Sequence, residues 1–157
     1  MLKGIHPLLG PELLHAIRTM GHGDEIVIAD ANFPASTMGP KVVRADGVDA
    51  LAITEAVLAH MPLDTFADES AWRMEVVGDP SAVPDVCAEF QVLVHKLAGD
   101  FKVMPIERFA FYERSRKAAY IVATTEFRLY GNIILKKGVV QPWELFTIGS
   151  LTATPTK

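Results

Sequence analysis

The stretch Met20-Gly21-His22-Gly23-Asp24-Glu25-Ile26-Val27-Ile28-Ala29-Asp30-Ala31-Asn32-Phe33-Pro34 constrains the chain more than any other. It joins the end of a helix-like apolar pattern to a short apolar run, and that run to a second polar cluster. A strand from Glu25 to Ala29 is roughly 17 Å long. His22 before it and Asp30 after it therefore share a cleft only if loops at both ends, or two subunits, fold them together. Packing accounts for Ile26, Val27 and Ile28. It does not account for a histidine between two glycines, residues that permit close approach by backbone or ligand.

Upstream, Pro11 suits the first turn of a helix with Leu13, Leu14, Ile17 and Met20 on one side and Gly21 at its end. Downstream, a loop through Pro34 to Pro40 leads to Val42, Val43 and the charged turn Arg44-Ala45-Asp46-Gly47. A helix follows from about Val48 to Met61, then a strand from Trp72 to Val77 and a turn at Gly78-Asp79-Pro80-Ser81. Pro84 opens another helix with Val86, Cys87, Phe90, Val94 and Leu97 at near-helical spacing. A short strand runs through Val103 to Pro105, a β-branched strand spans Tyr120 to Thr125, and Ile133-Ile134-Leu135 forms a further apolar run. Alternating helical and strand-like runs predict an α/β fold: a single compact three-layer domain around a mainly parallel sheet.

At 157 residues the chain suffices for one domain with a real core. The formal net charge of −4 argues against a nucleic-acid partner, which needs concentrated positive surface. No apolar run approaches the roughly 18 residues of a membrane span, and the start has no leader-like pattern, so a cytoplasmic location is expected. The lone cysteine, Cys87, reads as a small core hydrophobe. No Cys/His cluster has the spacing of a structural metal site.

Four places remain for a small polar ligand: His22, Asp30, Arg108 and Tyr130-Gly131-Asn132. Imidazole exchanges protons near neutral pH, a carboxylate accepts from sugar hydroxyls or orients the histidine, and Asn132 both donates and accepts. Gly131 lets its backbone approach a ligand, and Tyr130 offers a hydroxyl and an apolar ring face. The set suits a polyhydroxylated small molecule. Each member has a plainer use: Asp30 capping a turn, Arg108 paired with Glu107 or Glu113, Tyr130 and Asn132 in a subunit contact. There is no GxGxxG or Walker A pattern.

The segments MGHGDEIVIADANFPASTMGPKVVRADG (20–47), RFAFYERSRKAAYIVATTE (108–126) and YGNIILKKGV (130–139) closely resemble the L-fucose mutarotase and D-ribose pyranase family, particularly its fucose mutarotase branch. The resemblance covers about residues 1–140. It implies a ring-like homo-oligomer, often a decamer, that interconverts the α and β anomers of L-fucose without a required cofactor; His22 and Asp30 alone do not make a metal-site motif. It implies His22 as general acid/base, Asp30 as a sugar-binding carboxylate, and Arg108, Tyr130, Gly131 and Asn132 as substrate contacts. D-ribose or another monosaccharide is the alternative substrate, and a sugar-binding oligomer without turnover the alternative function. Two departures stand out. Asn32 occupies a position where the fucose-type pattern often has histidine. Residues 141–157 extend past the usual domain end, with Trp143, Leu145, Phe146 and Ile148 expected to add a packed contact.

Overall fold

A strand sends successive side chains to opposite faces, so an unbroken apolar run needs cover on both. The computed structural model describes residues 2–142, which leaves the expected contact of Trp143, Leu145, Phe146 and Ile148 outside the described residues. Glu25–Ala29 is β1. Ile26 and Ile28 enter one buried cluster and Val27 and Ala29 the other.

The first cluster is covered by α1 (Pro11–Thr19), α2 (Ala50–Leu58) and α3 (Asp85–Ala98). They contribute Leu13, Ala16 and Ile17, then Ile53 and Val57, then Val86, Phe90 and Val94. The second is covered by α4 (Arg108–Lys117) through Phe111 and by a 3₁₀ turn at Ala35–Thr37 with Phe33 and Met38. The expected three-layer α/β domain is what forms.

The remaining strands are β2 (Lys41–Ala45), β3 (Ala71–Met74), β4 (Val103–Ile106), β5 (Tyr120–Thr124) and β6 (Ile133–Lys136). The sheet runs β2-β5-β1-β6-β3-β4. β1 and β2 lie parallel to β5 and β3 parallel to β4, whereas β6 is antiparallel to both β1 and β3. One reversed strand inside an otherwise parallel sheet sets the chemistry. The carboxyl ends of β1, β3 and β4 meet the amino end of β6 along one rim, and the opposite rim carries the residues before β1 and after β6.

Local chemistry explains the helix limits. Asp49 caps α2 by accepting from the Ala52 N–H at 2.8 Å. Glu107 caps α4 by accepting from the N–H groups of Phe109 and Ala110. That cap makes a helix of a polar and aromatic segment in which no apolar periodicity is visible. Arg18 is in the last turn of α1, but its final carbonyls are held by a distant residue: Lys137 Nζ donates to Ile17 O at 2.7 Å and Met20 O at 2.6 Å. Among the described residues no helix is long and apolar enough to cross a membrane.

Candidate functional site

Asp30 follows the last residue of β1 and Asn132 precedes the first of β6, so antiparallel pairing sets them side by side. They bond reciprocally. The Asp30 N–H donates to Asn132 Oδ1 at 2.8 Å, and Asn132 Nδ2 donates to Asp30 Oδ2 at 2.7 Å. Asp30 Oδ1 accepts from the Asn32 N–H at 2.9 Å. Burial pushes the Asp30 carboxyl above its ordinary range, against the opposing amides of Asn32, Asn132 and Phe33, with the charge of Glu126 adding to the rise.

These two residues floor a cleft of about 210 Å³ that also involves Arg108, Tyr130, Asn32 and Met74. Pockets for drug-sized ligands begin at about 300 Å³, so this one suits a smaller molecule. It lies outside the carboxyl ends of parallel strands, where open α/β sheets bind ligands.

Arg108 stands at the first position of α4 with its guanidinium 4.7 Å from the Phe109 ring centre. Pairing with its acidic neighbours does not occur: Glu107 caps the helix and Glu113 pairs with Arg116. Arg108 Nε is the buried side-chain nitrogen or oxygen without a hydrogen-bond partner among the described residues. Such a group calls for a ligand or water, because an unmatched buried donor costs about 1–3 kcal/mol.

Tyr130 adopts a left-handed backbone, φ 65°, a strained conformation for a residue with a ring. It is held there from three sides. Its hydroxyl accepts from the Val77 N–H at 3.1 Å, and its carbonyl accepts from Cys87 Sγ at 3.4 Å and the Asn132 N–H at 2.7 Å. Cys87 is buried with its thiol pushed up to about 11, which keeps it protonated and able to donate. Gly131 does not line the cleft. A Cβ there would sit 2.5 Å from Glu126 Cγ and 3.1 Å from Arg128 O, so internal packing requires its smallness.

Glu126 escaped the sequence reading and underlies the site. It is 1% exposed, and its two oxygens accept from Arg128 Nε, Nη2 and main-chain N–H. Its own carbonyl receives the Ala31 N–H at 2.8 Å, which ties down the loop after Asp30. An E-F-R sequence resembles any charged turn, so no local signal marks it.

His22 is at the other rim. Its Nε2 lies 2.9 Å from Asp64 Oδ1 and its ring meets Phe66 edge-on at 5.6 Å. Gly23, at φ 84°, makes the turn into β1, which accounts for one of the flanking glycines. The structure thus brings Asp30, Arg108, Tyr130 and Asn132 together within one chain and leaves His22 separated from them by the length of β1. Among the described residues no three His, Cys, Asp or Glu side chains converge as metal ligands. Arg44, near the end of β2, and Asp46, just after it, form an exposed ion pair.

The raised Asp30 carboxyl has a measurable consequence. Between the ordinary carboxylate range and its raised value the folded chain holds a proton that the unfolded chain has released. Its contribution to stability is therefore complete at low pH and fades as pH rises through the folded value. In thermal melts, Asp30→Asn should improve relative to the wild type as pH rises above the ordinary carboxylate range. A melting difference that is flat or moves the other way would show that burial does not govern this group.

Residues 3–140 match the RbsD / FucU transport protein family. The chain is 48% identical over 153 residues to the fucose mutarotase of Danio rerio, with 92% of this chain and 97% of that protein covered. It is 47% identical over 145 residues to the fucose mutarotase of Homo sapiens, with 88% and 94% covered. Among solved structures, the fucose mutarotase in complex with L-fucose from Streptococcus pneumoniae superposes with a TM-score of 0.84 at 43% identity, covering 89% of this chain and all 100% of that one. Bacillus subtilis RbsD complexed with D-ribose shares the fold, with a TM-score of 0.68 at 21% identity over 90% of this chain and 100% of that one.

Proposed function

We propose that this chain, which belongs to the RbsD / FucU transport protein family and is strongly similar to its fucose mutarotases, interconverts the α and β anomers of L-fucose by opening and closing the sugar ring. The observation that carries the reading is the orphaned Arg108 Nε in a small cleft already equipped with a buried carboxylate and carboxamide. A sugar hydroxyl is both donor and acceptor. It satisfies Arg108 with a lone pair and Asp30 with its proton, and leaves neither unmatched.

Mutarotation needs one proton moved from the anomeric oxygen to the ring oxygen. Both oxygens are bonded to the same carbon, so one imidazole nitrogen reaches each in turn. The nitrogen takes the anomeric hydroxyl proton and the O–H electron pair becomes the carbonyl π bond. The ring C–O pair leaves with the ring oxygen, which receives that same proton back from the imidazolium. Rotation of the freed aldehyde and the reverse steps close the other anomer, with no redox change. His22 is the proposed carrier of this proton. Asp30, Arg108, Tyr130 and Asn132 hold the remaining hydroxyls and retain the open form.

His22 serves the cleft of a neighbouring copy in this proposal, within a ring-like homo-oligomer for which a decamer is the proposed number. Apolar surface at both rims supports such an association. Phe66 beside His22 is 73% exposed, and Val77 and Leu129 at the mouth of the cleft are 55% and 66% exposed. Contact between copies would remove that surface from water.

Asn32 on the cleft wall favours a second reading, in which D-ribose or another monosaccharide is preferred. Saturation-transfer NMR with L-fucose, D-ribose and related sugars at matched concentration separates the two. Catalysed exchange is expected to be fastest for L-fucose. Faster exchange of another sugar would reject the substrate. Saturable binding by the assembled protein without faster exchange would reject the activity and leave a sugar-binding oligomer.

A further inference from the structure

The start of the chain is held by hydrogen-bond acceptors that a proton abolishes. Residues 2–9 form neither helix nor strand and lead into α1 at Pro11. Leu9 is buried in the first cluster, and Ile5 and Leu8 pack half-buried against it. Two local bonds shape the segment, from the Leu9 N–H to His6 O at 2.9 Å and from the Gly10 N–H to Leu8 O at 3.0 Å. A stretch that buries so little apolar surface opens at lower cost than a central strand.

Imidazoles supply its other bonds. The His6 N–H donates to His60 Nε2 at 3.0 Å, a contact across 54 residues to the chain just past α2. The Leu8 N–H donates to His6 Nδ1 at 3.2 Å. A backbone N–H only donates, so each of these ring nitrogens is the unprotonated one of its imidazole. His60 is itself fixed, because its N–H donates to Val57 O at 3.0 Å in the closing turn of α2. Burial holds the His60 imidazole below its ordinary value. His6, on the facing segment, is the charged group that bears on it among the described residues, and it acts in the same direction.

We propose that His6 and His60 form an acid-released latch on residues 2–9, closed while both rings are neutral and opened when a proton occupies the acceptor nitrogen of His60. Once protonated, Nε2 meets the His6 N–H as a second donor, and neither can accept. A proton on His6 Nδ1 does the same to the Leu8 N–H and sets a positive charge facing His60. The closed form binds fewer protons than the open one, in which the His60 ring returns to water. Falling pH therefore favours opening, by up to about tenfold per pH unit for His60 below about pH 6.5. Opening uncovers the part of the first cluster beneath Ile5, Leu8 and Leu9, while Lys137 still holds the far end of α1.

Hydrogen exchange of the full chain, read by mass spectrometry and corrected for the intrinsic pH dependence of amide exchange, tests the latch. A peptide covering residues 2–9 should lose about tenfold of its protection between about pH 6.5 and about pH 5, while peptides covering β1 and β5 stay protected. His60→Gln offers a carbonyl to the same N–H and takes up no proton. It should leave at most the smaller step that His6 contributes. Flat wild-type protection down to about pH 5, or the full wild-type step in His60→Gln, would overturn the proposal. So would loss of β1 protection over the same range, because the segment would then only be following global unfolding. If His60→Gln does not fold, the wild-type profiles of the three peptides decide the point alone.

Discussion

His22→Gln is expected to lower the rate of L-fucose anomer exchange by about 10²- to 10⁴-fold, the range that a positioned acid/base commonly supplies. Glutamine keeps much of the size and a hydrogen-bonding amide, but it carries no proton that moves near neutral pH. Sugar affinity should stay within about threefold, because a group acting only during proton transfer affects turnover rather than binding. Exchange NMR and calorimetric titration on the same preparation separate these quantities. The location of His22 adds a sharper arm. His22→Gln chains and Arg108→Ala chains should each be nearly inactive alone, and oligomers mixed from the two should recover exchange, because some interfaces then join an intact histidine to an intact cleft. Near-normal exchange by folded His22→Gln removes the assigned role. Absence of recovery in mixed oligomers of confirmed composition places both groups in one chain's site instead.

Loss of Glu126 should be the most damaging single change to stability near the cleft. Glu126→Ala removes the acceptor of three Arg128 donors, leaves that guanidinium only Glu89, and opens a void against Gly131. A cost of about 2–4 kcal/mol follows from breaking a hydrogen-bonded charge pair on its buried side. Glu126→Gln isolates the charge. Hydrogen bonds from Arg128 hold the Glu126 carboxyl below its ordinary value against its burial. A depressed acid contributes stability above its unfolded pKa and loses it as pH falls through the folded one. The gap between wild type and Glu126→Gln in chemical denaturation should thus be full near pH 6 and close below about pH 4. A gap independent of pH would assign the effect to packing alone. Because Glu126 O also holds the Ala31 N–H, the destabilised Glu126→Ala variant should bind sugar more weakly as well.

Much of the architecture was legible along the chain because it is encoded by neighbours in sequence. Pro11 at a helix start and the β-branched run at Tyr120–Thr124 state their structure locally. So does the doubly buried Ile26-Val27-Ile28-Ala29, and together these were enough for a three-layer α/β domain. Helix α4 was not legible: its Phe111 alone is a large buried apolar side chain, and its start depends on the Glu107 cap. The strand expected to reach Val77 ends at Met74, where the chain leaves β4 and turns toward the Val76–Asp79 bridge.

The site divides in the same way. Residue type and spacing singled out His22, Asp30, Arg108, Tyr130 and Asn132, because proton transfer and hydroxyl binding need imidazole, carboxylate, guanidinium and amide groups. Spacing also showed that His22 and Asp30 could not meet along one strand. Only the tertiary structure decided which of them are partners. The antiparallel insertion of β6 beside β1 sets Asn132 on Asp30 across a separation of 102 residues. It also leaves His22 on the far rim with Asp64, 42 residues away. Gly131 acquired a different reason for being glycine, its contact with Glu126. Periodicity reports which face of an element is buried, whereas the order and direction of strands are fixed by packing between elements remote in sequence, and no local pattern carries that information.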